Sequence, residues 1–280
     1  MKKRSFIFSL ALTAALAACA SSALAQQTAY ERFRAHNDAM TALQPSWVAP
    51  LVQSDSRLGQ FVRLSFSSSY MPGTHSLSYG NGKGFGVIAF NRFQFDFMPP
   101  SYFQNYSSTM KDGAGDTGTQ VKFRIASGNA QHGNYALSAI VSKSFATGSY
   151  ANGMATGIFG PRLAAGWARK RFDVQTTLGG ALPTGKIAAQ GRAIEWNVTA
   201  QAHASAHLWL GVEDNAAFNL GGPFDGTVQN FATPAAFYVV RPRSWKPTHA
   251  FVIFDGGMQI ATTRFHFYNH NLISEMRVLF

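Results

Sequence analysis

The sequence predicts an all-β chain: an antiparallel transmembrane β-barrel of about twelve strands behind a short N-terminal helical lead. Three observations predict it. Apolar and polar residues alternate with period two over most of the chain. Charged residues make up only 13% against 14% aromatic, with 24 Phe and 26 Gly. The chain also begins with an export-type segment and ends in an alternating strand that stops on Phe280.

At the N-terminus, Lys2, Lys3 and Arg4 precede an apolar run from Phe6 to Ala18, and Ala23-Leu24-Ala25 follows. A positive start, a short apolar run and an A-x-A site describe a signal peptide over 1–25, cleaved after Ala25. The run is shorter than the roughly 20 apolar residues a bilayer-spanning helix needs. Leu16-Ala17-Ala18-Cys19 also fits a lipoprotein cleavage site, and that alternative stays open. Cleavage at Ala25 removes the one cysteine and leaves about 255 residues, a length one all-β domain accommodates.

Residues 26–56 read as a periplasmic lead. Thr28 to Leu43 carries Tyr30, Phe33, Met40 and Leu43 at helix-like spacing, Pro45 and Pro50 end that pattern, and Gln53 to Gln60 reads as a turn into the first strand. Residues 57–280 read as the barrel. Phe85, Val87, Ala89, Phe93, Phe95 and Phe97 alternate with Arg92, Gln94 and Asp96, which is read as one strand to Met98. Similar alternation covers Val121 to Ile125, Tyr135 to Val141, Phe172 to Leu178, Ile194 to Gln201 and Leu208 to Val212. Gly128-Asn129, Gly148, Gly179-Gly180, Thr184-Gly185, Gly221-Gly222-Pro223 and Asp255-Gly256-Gly257 read as the turns between runs. About eleven strands can be counted, and the even number of single-chain bacterial barrels makes twelve the expectation.

Leu272, Ser274, Met276, Val278 and Phe280 alternate with Ile273, Glu275, Arg277 and Leu279. A terminal Phe on such a strand resembles the signal by which barrel-assembly machinery knows its substrates, so that machinery and outer-membrane lipid are the expected partners. The same alternation also suits a soluble sandwich. The two differ in whether Phe93, Phe95, Val121, Phe123, Phe172 and Val174 are exposed or buried.

The formal charge is +11, of which Lys2, Lys3 and Arg4 carry three, leaving +8 after cleavage. The basic residues are scattered, so a nucleic-acid footprint is not expected. Gly180 to Lys186 starts like a phosphate loop, but Ile187 replaces the metal-binding hydroxyl. The alternate glycines Gly80 to Gly86 lack the strand-to-helix context of a dinucleotide site. His203 with His207 and His266 with His270 would lie about 13 Å apart on a strand, too far for one metal ion. No cofactor, metal site or enzyme activity is expected. A lipid hydrolase would need a Ser and a His brought together, which nothing in the sequence does for residues such as Ser138 and His203.

Lumen-facing Arg92, Gln94, Asp96, Lys122, Arg124, Glu195, Asn197 and Arg264 are the candidate site residues, either as a charged constriction for small-molecule solutes or as filling for a closed barrel. Trp47, Trp167, Trp209, Trp245, Tyr102 and Tyr106 are candidates for interfacial girdles.

Several stretches resemble a family of bacterial outer-membrane proteins associated with the meta-pathway of phenol degradation. They are Gly115-Asp116-Thr117, Ser127-Gly128-Asn129 with His132 to Tyr135, Leu182 to Gly185, Gly191-Arg192 with Trp196-Asn197, and Arg264 to His266 with Tyr268 to Asn271. The resemblance implies a barrel channel or transporter in the outer membrane for small, hydrophobic or aromatic solutes. A lipid hydrolase and a structural barrel remain the alternatives.

Overall fold

The computed structural model describes residues 28–71, 73–80, 84–242, 245 and 250–280. The expected signal segment, with Cys19 and Ala25, lies outside them. The chain divides into two compact units, one ending at Ala39 and one running Met40–Phe280. Helix α1 (Ala29–Thr41) starts at a reciprocal cap. Thr28 N donates to Glu31 Oε2 (2.8 Å) and Glu31 N donates to Thr28 Oγ1 (3.2 Å), satisfying N–H groups that have no partner within the helix.

Fifteen stretches of strand form one sheet, and they make twelve staves because three staves are interrupted. Stave β1 is Phe61–Met71, and β2 consists of β2a (Thr74–Tyr79) and β2b (Phe85–Phe90), which pair with successive parts of the same edge of β1. Stave β3 is β3a (Phe93–Met98) with β3b (Tyr102–Tyr106), and β4 is β4a (Gly113–Ala114) with β4b (Thr117–Gly128). Pro99 and Pro100 have no N–H to donate, so the ladder breaks between β3a and β3b. The inward phase shifts there from Gln94 and Asp96 to Phe103 and Asn105.

Unbroken staves follow: β5 (Tyr135–Phe145), β6 (Ile158–Arg169), β7 (Phe172–Pro183), β8 (Arg192–His203), β9 (Leu208–Leu220), β10 (Val228–Val240), β11 (Phe251–Ala261) and β12 (His270–Leu279). A one-turn helix, α2 (Ile187–Gln190), lies between β7 and β8. Each stave pairs antiparallel with the next. β12 closes the barrel on β1, from Phe61 opposite Leu279 to Tyr70 opposite His270. Closure removes both sheet edges, the one arrangement in which a β-sheet leaves no open edge to pair.

Connections 91–92, 129–134, 170–171 and 204–207 lie at the end that holds Phe61 and Leu279, here the terminus side. Segments 107–112, 146–157, 184–191, 221–227 and 262–269 lie at the opposite, loop side.

Exposure separates barrel from sandwich. Phe172 is 67% exposed, Val174, Phe93 and Phe95 are exposed, and Val121 and Phe123 are half-buried, whereas Asp173, Gln175 and Thr177 between them are buried. The apolar set faces outward and the polar set inward.

Several expectations need correction. The run from Phe85 to Met98 is a hairpin, turning at Asn91 and Arg92. Gly179-Gly180 and Asp255-Gly256-Gly257 lie inside β7 and β11 and are not turns. A Cβ on Gly257 would stand 2.8 Å from Leu51 Cδ2, so glycine there makes room for an interior side chain. Trp47, a girdle candidate, is 4% exposed inside the barrel. Segment 53–60, expected as a turn, also lies in the interior, for reasons set by its hydrogen bonds.

Candidate functional site

The lumen on the terminus side is filled by the chain's own residues 40–60. Two prolines bend this segment, and Gln44 staples it: Gln44 Nε2 donates to Leu58 O (2.5 Å) and Leu58 N donates to Gln44 Oε1 (2.9 Å). Its side chains meet an apolar wall. Phe237 and Val239 of β10, Ile253 of β11 and Ile273 of β12 point inward and pack on Val48 and Leu51. Leu51 is fully buried, which contributes about 1.5–3 kcal/mol. Trp47 lies against Gly166 of β6, where a Cβ would approach the indole to 2.6 Å.

Polar contacts fix the rest. Glu213 of β9, 0% exposed, accepts hydrogen bonds from three consecutive backbone N–H groups, those of Leu51, Val52 (3.1 Å) and Gln53 (3.3 Å). Gln53 Nε2 donates to Thr199 Oγ1 (2.5 Å), Gln175 Nε2 donates to Val48 O (3.1 Å), and Ser138 Oγ donates to Ser56 O (2.5 Å). Arg277 donates to Ala49 O (2.8 Å) while pairing with Asp255. Arg63 pairs with Glu275 at 3.3 Å beside it. These charges sit side by side and offset one another, which is what lets them be buried.

Asp55 and Arg57 pair within the segment at 2.7 Å, and Arg57 also lies over the Trp47 ring. Burial alone would raise the Asp55 carboxyl. The charges of Arg57 and Lys122 and the hydrogen bonds from Arg57 override it and hold the group below the ordinary carboxylate range.

The eight candidate lumen residues fall into separate groups. Gln94 Oε1 accepts from Gly59 N (2.7 Å) and its amide donates to Asp96 (2.6 Å). Lys122 Nζ donates to Arg57 O (2.7 Å), and Arg124 donates to Met40 O (2.7 Å) and Asn91 O (3.0 Å). These four therefore grip the 40–60 segment or its neighbours. Glu195 faces inward higher up, paired with Arg162 at 2.5 Å, and Asn197 bridges Thr177 and Asn215. Arg92 and Arg264 stand exposed in a terminus-side turn and a loop-side segment. No single ring of charge results. Glu213, Gln175, Arg277 and Trp47 carry much of the grip and were not singled out as lumen residues by sequence. The inward phase of β9, odd numbers opposite Leu208, Leu210 and Val212, was the signal available for Glu213.

Above the filled region, on the loop side, a cavity of about 390 Å³ is lined by inward residues of β1, β2a, β3b, β11 and β12 and by loop residues. Ser67, Ser69, Ser76 and Ser78 form one wall. Tyr268 donates to Gln259 (3.0 Å), and burial pushes its phenol up to about 12, so it stays a neutral donor at ordinary pH.

His266 has both ring nitrogens in hydrogen bonds, to Thr263 O and Asn269 Oδ1, and His207 Nδ1 bonds Val239 O. His203 stacks on Trp209 and His270 on Tyr70. Ser138 is spent on Ser56. One serine does meet a histidine: Ser68 Oγ and His75 Nε2 are 2.9 Å apart on the outer face. Ser68 is 4% exposed, His75 is half-buried, and the His75 ring stacks between Tyr70 and Tyr106 at 4.2 and 5.1 Å, so the pair is part of an aromatic row.

No family model and no curated protein matches the chain. Solved structures do. A NanC porin superposes with TM-score 0.50 at 8% identity, covering 79% of this chain and 98% of its own. An outer membrane channel from Pseudomonas putida F1 superposes with TM-score 0.51 at 12% identity, covering 84% of this chain and all of its own (100%). The fold is that of outer-membrane β-barrel channels. At these identities the likeness extends to the fold alone.

Glu213→Ala leaves three buried N–H groups unpaired, each costing about 1–3 kcal/mol. Faster limited proteolysis within 44–58, with the barrel still heat-modifiable on a gel, is the expected outcome. A folded state lowered only through Asp55 would lose stability as pH falls. The depressed carboxyl contributes fully above its unfolded value, about 4, and loses that contribution as pH drops through its lower folded value. Urea midpoints measured between about pH 6 and pH 3 should fall less steeply for Asp55→Asn than for the unaltered chain.

Proposed function

We infer that this chain is an outer-membrane channel for small solutes whose terminus-side lumen is closed by its own residues 40–60. The carrying observation is the pairing of an outward apolar face with an interior that is filled at one end and holds a polar cavity at the other. A lumen packed shut along its whole length would favour a structural barrel, and the loop-side cavity leaves this one open at that end. Residues 241–250 aside, the terminus-side connections are short and most loop-side segments longer, as at the periplasmic and extracellular ends of outer-membrane barrels. In that orientation the closing segment faces the periplasm, and signal-peptide export delivers the chain there.

The outward residues of β12, Leu272, Ser274, Met276 and Val278, together with Phe280 beyond it, support recognition by barrel-assembly machinery. The phenol meta-pathway resemblance supports hydrophobic or aromatic solutes. The lining of the loop-side cavity is more polar than that resemblance implies. Selectivity by Arg92, Arg124, Glu195 and Arg264 as one charged constriction is not favoured, because they are dispersed or already engaged.

Passage requires the 40–60 segment to shift, since it occupies the lumen. In planar bilayers the unaltered protein should give small or rare conductance steps, and Glu213→Ala combined with Trp47→Ala should give larger or more frequent ones. A refolded, heat-modifiable double variant that never conducts would sink the channel reading. The membrane setting has its own check at Leu163, exposed near the middle of β6. Leu163→Arg should cost about 2–4 kcal/mol of unfolding free energy in phospholipid vesicles, measured by denaturant titration; no cost would argue against lipid around that face.

A further inference from the structure

We propose that the loop-side cavity is a binding site for a small, uncharged, polyhydroxylated molecule of sugar-like chemistry, taken up before passage. The proposal rests on the channel reading for the word passage only; binding stands or falls separately.

At about 390 Å³ the cavity has the size of small-molecule sites. Its lining carries no charged side chain. On β1, β11 and β12 the charges Arg63, Asp255, Glu275 and Arg277 lie lower and are paired, Arg162 and Glu195 pair with each other on β6 and β8, and the neighbouring carboxylate, Asp112, accepts from the Asn105 backbone N–H. What remains around the cavity is hydroxyls and carboxamides, groups that both donate and accept, as a polyol does. Several are arranged across strands: Ser69 donates to Asn271 (2.9 Å), Ser76 donates to Asn105 (2.8 Å), and Asn105 donates to Asn152 (2.8 Å). These bonds hold the carboxamides in place.

Ser78 differs from its neighbours. It is 4% exposed, lines the cavity, and its Oγ has no hydrogen-bond partner. The oxygen itself is closed off from solvent, so a turn of the Ser78 side chain toward the cavity would let a ligand hydroxyl satisfy it and remove the cost of an unpaired buried group. Phe103 and Met110 supply an apolar patch on the same lining, suited to the C–H face of a sugar ring. An ion would leave its hydration shell without gaining an opposite charge. A purely hydrophobic molecule would strip water from the hydroxyl wall without replacing its bonds.

The test is calorimetric titration of the full chain, folded in detergent, with D-glucose, its charged counterpart gluconate, and phenol. Saturable glucose binding is expected, with gluconate and phenol each weaker by about tenfold or more, the scale of one lost hydrogen bond to a buried group. Asn105→Leu and, independently, Ser78→Val should weaken glucose by about tenfold while remaining heat-modifiable. Absence of saturable glucose binding, or equal binding of gluconate or phenol, overturns the proposal. Detergent titration needs no conduction. Binding without conductance would therefore count against the channel, and conductance without binding against this site.

Discussion

The interior of this barrel depends on one buried carboxylate. Glu213 is wholly removed from solvent, and a carboxylate in that position is tolerable only if its lone pairs are used. Three successive backbone N–H groups of residues 51–53 use them. The same bonds satisfy backbone that would otherwise lie unpaired inside a protein, because a segment threaded through a lumen has no neighbouring strand to bond. Carboxylate and segment each remove the other's cost. Further contacts, from Gln175, Ser138, Lys122, Arg124 and Arg277 to carbonyl oxygens of the segment, follow the same logic with the donor on the wall.

That arrangement divides the interior into layers. On the terminus side, inward Phe237, Val239, Ile253 and Ile273 close on Val48 and Leu51, and in the same layer the paired charges Arg63, Asp255, Glu275 and Arg277 sit beside them, Arg277 opposite Ile253. Above it the lining turns to serine and carboxamide. The break at Pro99 and Pro100 belongs to this pattern as well: it resets the inward phase of β3, bringing Phe103 and Asn105 into the cavity in place of the positions that strict alternation would have sent there. The fold resembles that of outer-membrane channels.

The outer surface was the easiest part to read in advance. Lipid-facing strands repeat one simple requirement every second residue, so Phe93, Phe95, Phe172 and Val174 declare the period, and with it the class and the number of staves. The hairpin hidden in Phe85 to Met98 escaped because Asn91 and Arg92 make a turn short enough to leave the alternation looking continuous. Gly179 and Gly257 misled for a different reason. Glycine signals both turns and close approach, and only the neighbour, Arg162 in one case and Leu51 in the other, tells which applies.

By itself, the sequence determined the all-β class, the twelve-stave scale and the helix-like lead from Thr28, since each follows from local spacing; which way the apolar face points was decided by the tertiary structure, through the exposure of Phe172, Val174, Phe93 and Phe95. Tertiary structure decided what fills the lumen. Leu51, Val52 and Gln53 look like residues of a solvated lead until Glu213, some 160 positions away, is brought beside their backbone. The candidate lumen residues Gln94, Lys122 and Arg124 likewise took their roles from the segment they meet. Closing a barrel joins residues distant along the chain, and no periodicity within a strand records which of them will share the interior.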